Sequence, residues 1–296
     1  MQEAIESALR AILAVTAGLS AHPASTDPGP CIAAVELADA MLCTAPAGEA
    51  VVLAGPSGTD TVFLTREEGF ESLSPVVSRG RTAAFTAHGR EGDAVVVLRD
   101  GGLSVERMGP WTSAGSPSID RSGRVWFCAD GWLRTDGVPV APVTGTPAAL
   151  VSPSGDEVLL IEYREQARLM DAVSFETRPA GLPEEVIDVQ WAGEDALLSW
   201  TPDGTIWVTE DGSSRILTRG EDPSWSDEAF GAYFVRTEDD GHMVTSSSIW
   251  FTTLEGPEYR LYTPEGSIPV NPSATRTGAA AVDASTGEVI RLILYR

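Results

Sequence analysis

The feature that most constrains this chain is a repeated frame with a period of about 40 residues. Each copy has an apolar anchor residue, a small polar turn that usually carries Gly or Asp, and then an apolar run. The clearest copies begin Asp188-Val-Gln-Trp191 and Asp222-Pro-Ser-Trp225. A repeat of this length predicts an array of small units that bury their apolar faces against one another. The anchors are Val35, Val77, Ile119, Val151, Trp191, Trp225 and Ala274.

Short apolar runs separated by turns follow each anchor. In the fifth copy, residues 196–201, 205–210 and 215–218 are separated by Pro202-Asp203-Gly204 and Asp211-Gly212. Asp-Gly between alternating apolar runs predicts a β-hairpin, because the turn needs two residues with positive φ. The dipeptide recurs at Asp100-Gly101, Asp130-Gly131, Asp136-Gly137 and Asp240-Gly241. Four short antiparallel strands per repeat are typical of a β-propeller blade, so we expect an all-β chain of seven four-stranded blades.

Several segments resemble a known repeat. Four of them resemble the Pro-x-Trp-Ser-Pro-Asp-Gly repeat of TolB-type, WD-repeat-like propellers; they begin at Ser74, Ser116, Val151 and Asp222. The third strand of that repeat is resembled by two Ile-Trp pairs, Ile206-Trp207 and Ile249-Trp250. The resemblance covers roughly residues 31–296. Such propellers include periplasmic partners of lipoproteins, gating domains of prolyl oligopeptidases and polysaccharide lyases. The resemblance therefore implies the fold far more than an activity.

The sequence leaves two alternatives for the number of blades and for the closure of the ring. Ile32, Val35, Ala38, Met41 and Leu42 also fit a helical stripe, as do Ile5, Leu9, Ile12 and Val15. If both stretches are helices, six blades follow a helical hairpin. If not, the last copy supplies only three strands, and residues 11–16 can provide the missing outer strand. We expect residues 1–30 to form this N-terminal segment with a Pro/Ser-rich linker, and residues 31–296 to form one propeller domain.

Charge narrows the range of partners. The formal net charge is −23. All 20 basic residues are Arg, so no lysine is present to form a Schiff base or to act as a general base. Nucleic-acid binding depends on basic residues that neutralise phosphates, and no basic patch is visible in the sequence. We therefore expect no nucleic-acid partner. The expected partner is a protein or a small molecule, preferably cationic, and the expected state is a monomer.

The N-terminal residues and the cysteines bear on the cellular compartment of the protein. Glu3 and Glu6 against Arg10 give the wrong charge for the start of an export signal, so we expect a cytoplasmic chain. A periplasmic or secreted chain with its signal removed would look the same. No run approaches the roughly 20 apolar residues of a membrane span. Cys31, Cys43 and Cys128 form no CxxC pair and have no His at ligand spacing, so no metal is expected.

Polar residues precede most anchors by three positions. In a blade the inner strand starts on the face that bears the connections between blades, and the loop between the second and third strands returns to that face. The segment 237–247 should therefore overhang these residues. The candidate binding residues are Ser74, Ser116, Asp188, Asp222 and Asn271 in this ring, with Glu238, Asp239, Asp240 and His242 in the overhanging segment.

No catalytic signature accompanies this pattern. The chain has no Gly-x-Ser-x-Gly elbow, no His-Glu-x-x-His and no phosphate-binding loop, so we assign no catalytic residue and expect no cofactor. The first hypothesis is a binding or scaffolding propeller. The alternative is a lyase or hydrolase that gathers acid/base groups around the channel, with Asp188, Asp222 and His242 as candidates, because such a site needs no local motif.

Overall fold

A computed structural model describes residues 31–38, 40–45, 48–55, 58–99, 104–145, 147–161, 167–239, 244–263 and 267–293. The named elements in these ranges are all β-strands, and they form seven antiparallel sheets in chain order. Each sheet is one blade of a β-propeller. The expected all-β fold with seven blades is therefore confirmed, and so is the resemblance to propeller repeats at the level of the fold.

The strands run outward from the centre within each blade. Blades 1 to 3 contain β1 (Ala33–Leu37), β2 (Ala40–Thr44), β3 (Ala50–Gly55), β4 (Gly58–Leu64); β5 (Ser72–Leu73), β6 (Val77–Arg79), β7 (Thr82–His88), β8 (Asp93–Arg99), β9 (Ser104–Trp111); β10 (Ser118–Ile119), β11 (Val125–Ala129), β12 (Trp132–Thr135) and β13 (Val138–Pro142). Both β5 and β6 pair with β7, so together they form the inner strand of blade 2.

Blades 4 to 7 continue the same order. They contain β14 (Ala148–Val151), β15 (Glu157–Ile161), β16 (Arg168–Asp171), β17 (Thr177–Pro179); β18 (Asp188–Ala192), β19 (Ala196–Trp200), β20 (Thr205–Glu210), β21 (Ser213–Arg219); β22 (Glu221–Ser226), β23 (Gly231–Asp239), β24 (Val244–Thr253), β25 (Glu258–Tyr262); β26 (Pro269–Thr275), β27 (Gly278–Asp283) and β28 (Val289–Ile293). In the described residues the seventh blade thus has three strands.

The six-blade alternative is wrong. The stretch that also fitted a helical stripe forms β1 and β2, which pair antiparallel with Val35 opposite Leu42. Tertiary pairing therefore decides between two periodicities that the sequence satisfies equally well. Residues 1–30 lie outside the described ranges, so the outer strand expected from residues 11–16 and the domain boundary at residue 30 stay predictions.

Three of the Asp-Gly turns confirm the hairpin assignment. Both residues have positive φ in Asp130-Gly131, Asp136-Gly137 and Asp211-Gly212. This conformation belongs to the two-residue turns whose twist matches that of the flanking strands. Asp100-Gly101 lies outside the described residues, as do Asp240 and Gly241.

The core consists of apolar clusters between neighbouring blades. Side chains alternate between the two faces of a strand, so each blade offers one apolar face to the blade before it and another to the blade after it. The described residues form seven such clusters, one at every junction of the ring. Phe63 and Phe85 meet edge to face at the first junction, with ring centroids 5.1 Å apart.

A disulfide reinforces the junction between blades 7 and 1. Cys31 and Cys43 are bonded, which joins the residues before β1 to β2. The Cys31 N–H donates to the Gly287 carbonyl of blade 7 at 2.8 Å. Both sulfurs are buried in a cluster that includes Ala280 and Val282. The cysteine count had not indicated this bond. Disulfides are typical of oxidising compartments, so the bond does not support the cytoplasmic expectation.

Truncation of Trp191 tests the packing between blades. Its side chain is 8% exposed between blades 4 and 5, and its Nε1 donates to the Leu150 carbonyl at 2.8 Å. Trp191→Ala should lower the free energy of unfolding by about 3–5 kcal/mol. Trp132→Ala is the control, because that side chain is 42% exposed and its loss should change stability far less. Chemical denaturation measures both; equal effects would contradict this packing.

Reduction of the disulfide tests closure of the ring. The bond closes a short loop, so its loss should lower the free energy of unfolding by about 2–4 kcal/mol. A reducing agent should lower the denaturation midpoint of the wild-type chain and leave that of Cys31→Ala/Cys43→Ala unchanged. A wild-type midpoint that ignores the reductant would show that the bond does not stabilise the junction.

Candidate functional site

The seven inner strands surround a central channel with a cavity of about 580 Å³. Residues of every inner strand line it, so no single blade forms the cavity. Every anchor from the repeat lies in its wall: Val35, Val77, Ile119, Val151, Trp191, Trp225 and Ala274. The anchor spacing read from the sequence therefore locates the channel wall. Both tryptophans also lie between adjacent blades as expected, with Trp225 only half-buried.

The channel has two unlike ends. The acidic mouth is the end where inner strands begin, marked by Asp188, Asp222 and Asn271 on β18, β22 and β26. The hairpin mouth is the opposite end, where the first hairpin of each blade turns, marked by Gly80 and Arg276. All inner strands run from the acidic mouth to the hairpin mouth. The cavity reaches the hairpin mouth, and none of the three acidic-mouth residues lines it.

Two β-bulges shape the acidic mouth. Asp222 and Asn271 have φ angles of 48° and 49°, and each stands where the pairing of its inner strand is irregular. Each is followed by a proline, which has no N–H to give to the neighbouring strand. Asp and Asn tolerate this left-handed conformation better than other residues with a side chain. The Asx-Pro sequence thus produces the bulge, and a bulge redirects the side chain at the end of a strand.

Three of the predicted site residues come together at this mouth, from blades 5, 6 and 7. The Asn271 N–H donates to the Asp222 carboxylate, and burial raises the pKa of Asp222. Asp188 remains exposed to solvent at the mouth, yet the surrounding protein reduces its hydration and raises its pKa. The negative charge of Asp222 raises the pKa of Asp188 further. The two carboxyl groups therefore act on each other across neighbouring blades.

The two predicted serines belong to blades 2 and 3 and are not part of this group. Ser74 is buried in blade 2, where its Oγ accepts the Thr86 N–H at 2.9 Å. Ser116 is half-buried just before β10 in blade 3. Among the described contacts, neither serine touches Asp188, Asp222 or Asn271. Ser74 thus satisfies a backbone group of its own blade, which is the ordinary use of a short polar side chain beside a strand.

The hairpin between β23 and β24 is the segment expected to overhang the acidic mouth. These strands have nine and ten residues, more than any other described strand. Ser247 Oγ donates to the Pro269 carbonyl at 3.0 Å, which fixes the hairpin against the start of blade 7. Glu238 is exposed and accepts from Ser246 Oγ at 3.0 Å. Asp240 and His242 lie outside the described residues, as does the side chain of Asp239, so their role stays a prediction.

Residues one position before the anchors tie neighbouring inner strands together. Ser118 Oγ accepts the Val151 N–H at 2.8 Å. Gln190 Oε1 accepts the Trp225 N–H at 2.9 Å, and Ser224 Oγ accepts the Ala274 N–H at 2.8 Å. The sequence analysis missed these contacts. The available signal was a polar side chain directly before an apolar anchor, at a position that faces the next blade.

The hairpin mouth is crossed by charged side chains that the sequence analysis also missed. Asp227 of blade 6 accepts the Trp225 Nε1–H on Oδ1 at 3.0 Å. Its Oδ2 lies 3.7 Å from Arg79 Nη2 of blade 2 and 3.9 Å from Arg121 Nη2 of blade 3. Arg121 also pairs with Glu194 of blade 5. One carboxylate thus faces two guanidinium groups from the other side of the ring.

In the part of the chain that the structure describes, no group of three or more His, Cys, Asp or Glu side chains is placed to hold a metal ion. The same residues contain no helix of the length and hydrophobicity that a membrane span requires.

Comparison with known proteins shows the class and not the family. No protein-family model matches the chain. Lipoprotein LpqB of Thermobifida fusca is 24% identical over 282 residues, which cover 86% of this chain and 45% of LpqB. The chain thus spans less than half the length of that relative. A chain of the mitotic checkpoint complex is 11% identical with a TM-score of 0.63, covering 94% of this chain and 93% of the other.

A third similarity is to oligogalacturonate lyase from Vibrio parahaemolyticus, which is 9% identical with a TM-score of 0.54 over 88% of this chain and 85% of the lyase. Structural similarity at such low identity establishes the fold alone. The chain is a seven-bladed β-propeller protein.

The raised pKa values predict how stability depends on pH. In the folded state Asp188 and Asp222 lose their protons less readily than an ordinary Asp, whose pKa is 3.8. The unfolding free energy therefore falls as the pH rises through the raised values. Asp188→Asn and Asp222→Asn should each increase the thermal midpoint at pH 7 and have little effect below the ordinary pKa. Thermal unfolding across pH 3–8 measures this.

Asp120 supplies a control, because its ionisation should stabilise the fold where that of Asp188 and Asp222 destabilises it. Burial opposes its ionisation, but hydrogen bonds from Ser122, Trp126 and Arg124 outweigh this and lower its pKa. Its ionised form therefore stabilises the fold above the ordinary pKa, and that stability is lost as the pH falls through the lowered value. Asp120→Asn should reduce the thermal midpoint at pH 7. Equal signs for Asp120→Asn and Asp188→Asn would contradict this assignment.

Proposed function

We propose that this propeller is a non-catalytic binding protein that engages a cationic protein or small ligand at its acidic mouth. The observation that carries the proposal is the pair formed by Asp188 and Asp222. Reduced hydration at the mouth raises the pKa of both carboxyl groups, and the charge of Asp222 adds to the effect on Asp188. No arginine in the described residues forms an ion pair with either group. A positive charge from outside the chain would therefore relieve an unfavourable interaction.

Long-range electrostatics also favours the binding of a cation. The formal net charge of −23 favours the approach of cations and disfavours polyanions over a Debye length of about 8 Å at physiological salt. At the mouth itself the Asn271 side chain donates to the Ile32 carbonyl at 2.9 Å and holds blade 7 against blade 1. The Asn271 N–H also donates to the Asp222 carboxylate, so the same residue connects the rims of blades 6 and 7.

Export from the cytoplasm forms part of the proposal. A buried disulfide joins Cys31 to Cys43, and such bonds persist in oxidising compartments. The relative from Thermobifida fusca is named as a lipoprotein, and export fits that name. The same relative is more than twice as long as the matched part, so its own function is not transferred to this chain.

The enzyme hypothesis has one observation in its favour. Carboxyl groups with raised pKa values are suited to general acid/base catalysis, and Asp188 and Asp222 have this property. One propeller of similar fold is named as an oligogalacturonate lyase. A polyanionic substrate of that kind would be repelled by the acidic mouth, which is the reason that binding of a cation is our first proposal.

A charged peptide provides the test. Tetralysine amide and its fully acetylated, neutral form are titrated against the protein by calorimetry at 50 and 200 mM salt. We expect the charged peptide to bind more tightly, with an affinity that falls as salt increases. Asp188→Asn/Asp222→Asn should weaken tetralysine binding at least tenfold, or about 1.4 kcal/mol, and flatten the dependence on salt.

The matched control is Glu157→Gln. Glu157 is an acidic residue of blade 4 whose carboxylate pairs with Arg178 at 2.6 Å, away from the acidic mouth. This variant should bind tetralysine as the wild-type chain does. Equal binding of the charged and acetylated peptides, or equal loss in both variants, would refute the site. Turnover of oligogalacturonate that is lost in Asp188→Asn would instead establish the enzyme.

A further inference from the structure

Arg79 at the hairpin mouth has a hydrogen-bond donor without an acceptor among the described residues. It lines the central cavity at the end of β6. Its Nη1 atom is shielded from solvent, and no described residue accepts a hydrogen bond from it. Its Nη2 atom lies 3.7 Å from Asp227 Oδ2, which is an ion pair but too long for a hydrogen bond. A shielded guanidinium donor without an acceptor is unfavourable, and native structures seldom retain one without a reason.

Three carboxylates line the cavity at this mouth, those of Asp227, Glu36 and Glu228, and each already has an interaction of its own. Asp227 accepts the Trp225 Nε1–H at 3.0 Å and is shared with Arg121. Glu36 accepts the Arg276 N–H and lies 3.8 Å from Arg291. The fork of Arg79 therefore lacks a dedicated carboxylate in the described residues. A planar guanidinium in this situation is suited to a carboxylate that presents two oxygens side by side.

The cavity wall combines polar side chains with apolar and aromatic ones. Trp191 and Trp225 line the cavity, and the Nε1–H of each is already bound, to the Leu150 carbonyl and to Asp227. What these rings offer to the cavity is apolar surface. Val77, Ile119 and Val151 line the same cavity, whose volume of about 580 Å³ lies in the range of small-molecule sites.

We propose that the hairpin mouth binds a small organic acid. Its carboxylate pairs with the guanidinium group of Arg79, and its apolar or aromatic body packs against Trp225 inside the channel. This site lies at the opposite end of the channel from Asp188 and Asp222 and takes the opposite charge. It therefore adds a second ligand to the cation proposed for the acidic mouth.

Asp227 acts as an internal competitor in this arrangement. Its Oδ2 faces Arg79 and Arg121, at the side where an incoming carboxylate would approach the Arg79 fork. Asp227→Asn keeps an oxygen that can accept the Trp225 Nε1–H and removes the negative charge. The variant should therefore bind the acid more tightly than the wild-type chain. Damage to the fold would not be expected to raise affinity.

The probes are benzoate and its neutral isostere benzamide, titrated with tryptophan fluorescence and calorimetry as readouts. Benzoate should bind and benzamide should bind at least tenfold more weakly. Arg79→Gln should weaken benzoate about tenfold, because it removes the charged fork. Arg178→Gln is the control: it removes an arginine of outer strand β17 that pairs with Glu157, and it should leave benzoate binding unchanged.

Further variants keep the test decisive. If Arg79→Gln does not fold, Arg79→Lys replaces it, since a single ammonium keeps the charge and loses the fork and should also weaken benzoate. Asp227→Asn should strengthen benzoate binding at least threefold, and Asp188→Asn should leave it unchanged, which separates this site from the acidic mouth. Absence of benzoate binding, equal binding of benzamide, or no change in the Arg79 and Asp227 variants would overturn the proposal.

Discussion

Apolar packing between neighbouring blades is the interaction on which the rest of this structure depends. A four-stranded sheet with two apolar faces cannot bury both of them alone, so each blade is stable only between two others. The described residues meet this requirement with one cluster at each of seven junctions, the last of which joins blade 7 to blade 1. Closure of the ring is therefore a condition for burial of the first and last blades. The Cys31–Cys43 bond strengthens the junction at which the chain is not continuous.

The channel is a consequence of this packing. When seven blades pack side by side, their inner strands cannot meet at the axis. The residues that face the axis are therefore not required to be apolar and closely packed. All inner strands run in the same direction, so equivalent positions of different blades gather at the same mouth. This is why carboxyl groups from β18 and β22 influence each other, although they belong to different sheets. The same geometry brings Arg79 of blade 2 toward Asp227 of blade 6.

The two mouths differ because different local chemistry forms them. At the acidic mouth, Asx-Pro pairs create bulges at the start of β22 and β26, and burial leaves the carboxyl groups with raised pKa values. At the hairpin mouth, turns carry both arginines and carboxylates, and these partly neutralise one another across the ring. A protein with a strongly negative net charge thus has one end of its channel that carries two carboxyl groups and another that presents a guanidinium group. The two proposed sites follow from this asymmetry.

The sequence by itself determined the repeat, the hairpins and the inner strand of each blade, because these depend on local patterns. Asp-Gly turns need positive φ, strands alternate with a period of two, and apolar anchors recur once per blade. It also identified Asp188, Asp222 and Asn271 as polar residues at the start of inner strands. Only the tertiary structure decided that β1 and β2 are strands rather than parts of a helix, because both periodicities fit that stretch. It alone also showed that Cys31 bonds to Cys43, and that Arg79 and Asp227 face each other. These contacts join residues far apart in the chain or in different blades, and their distances are set by closure of the whole ring, which no local pattern encodes.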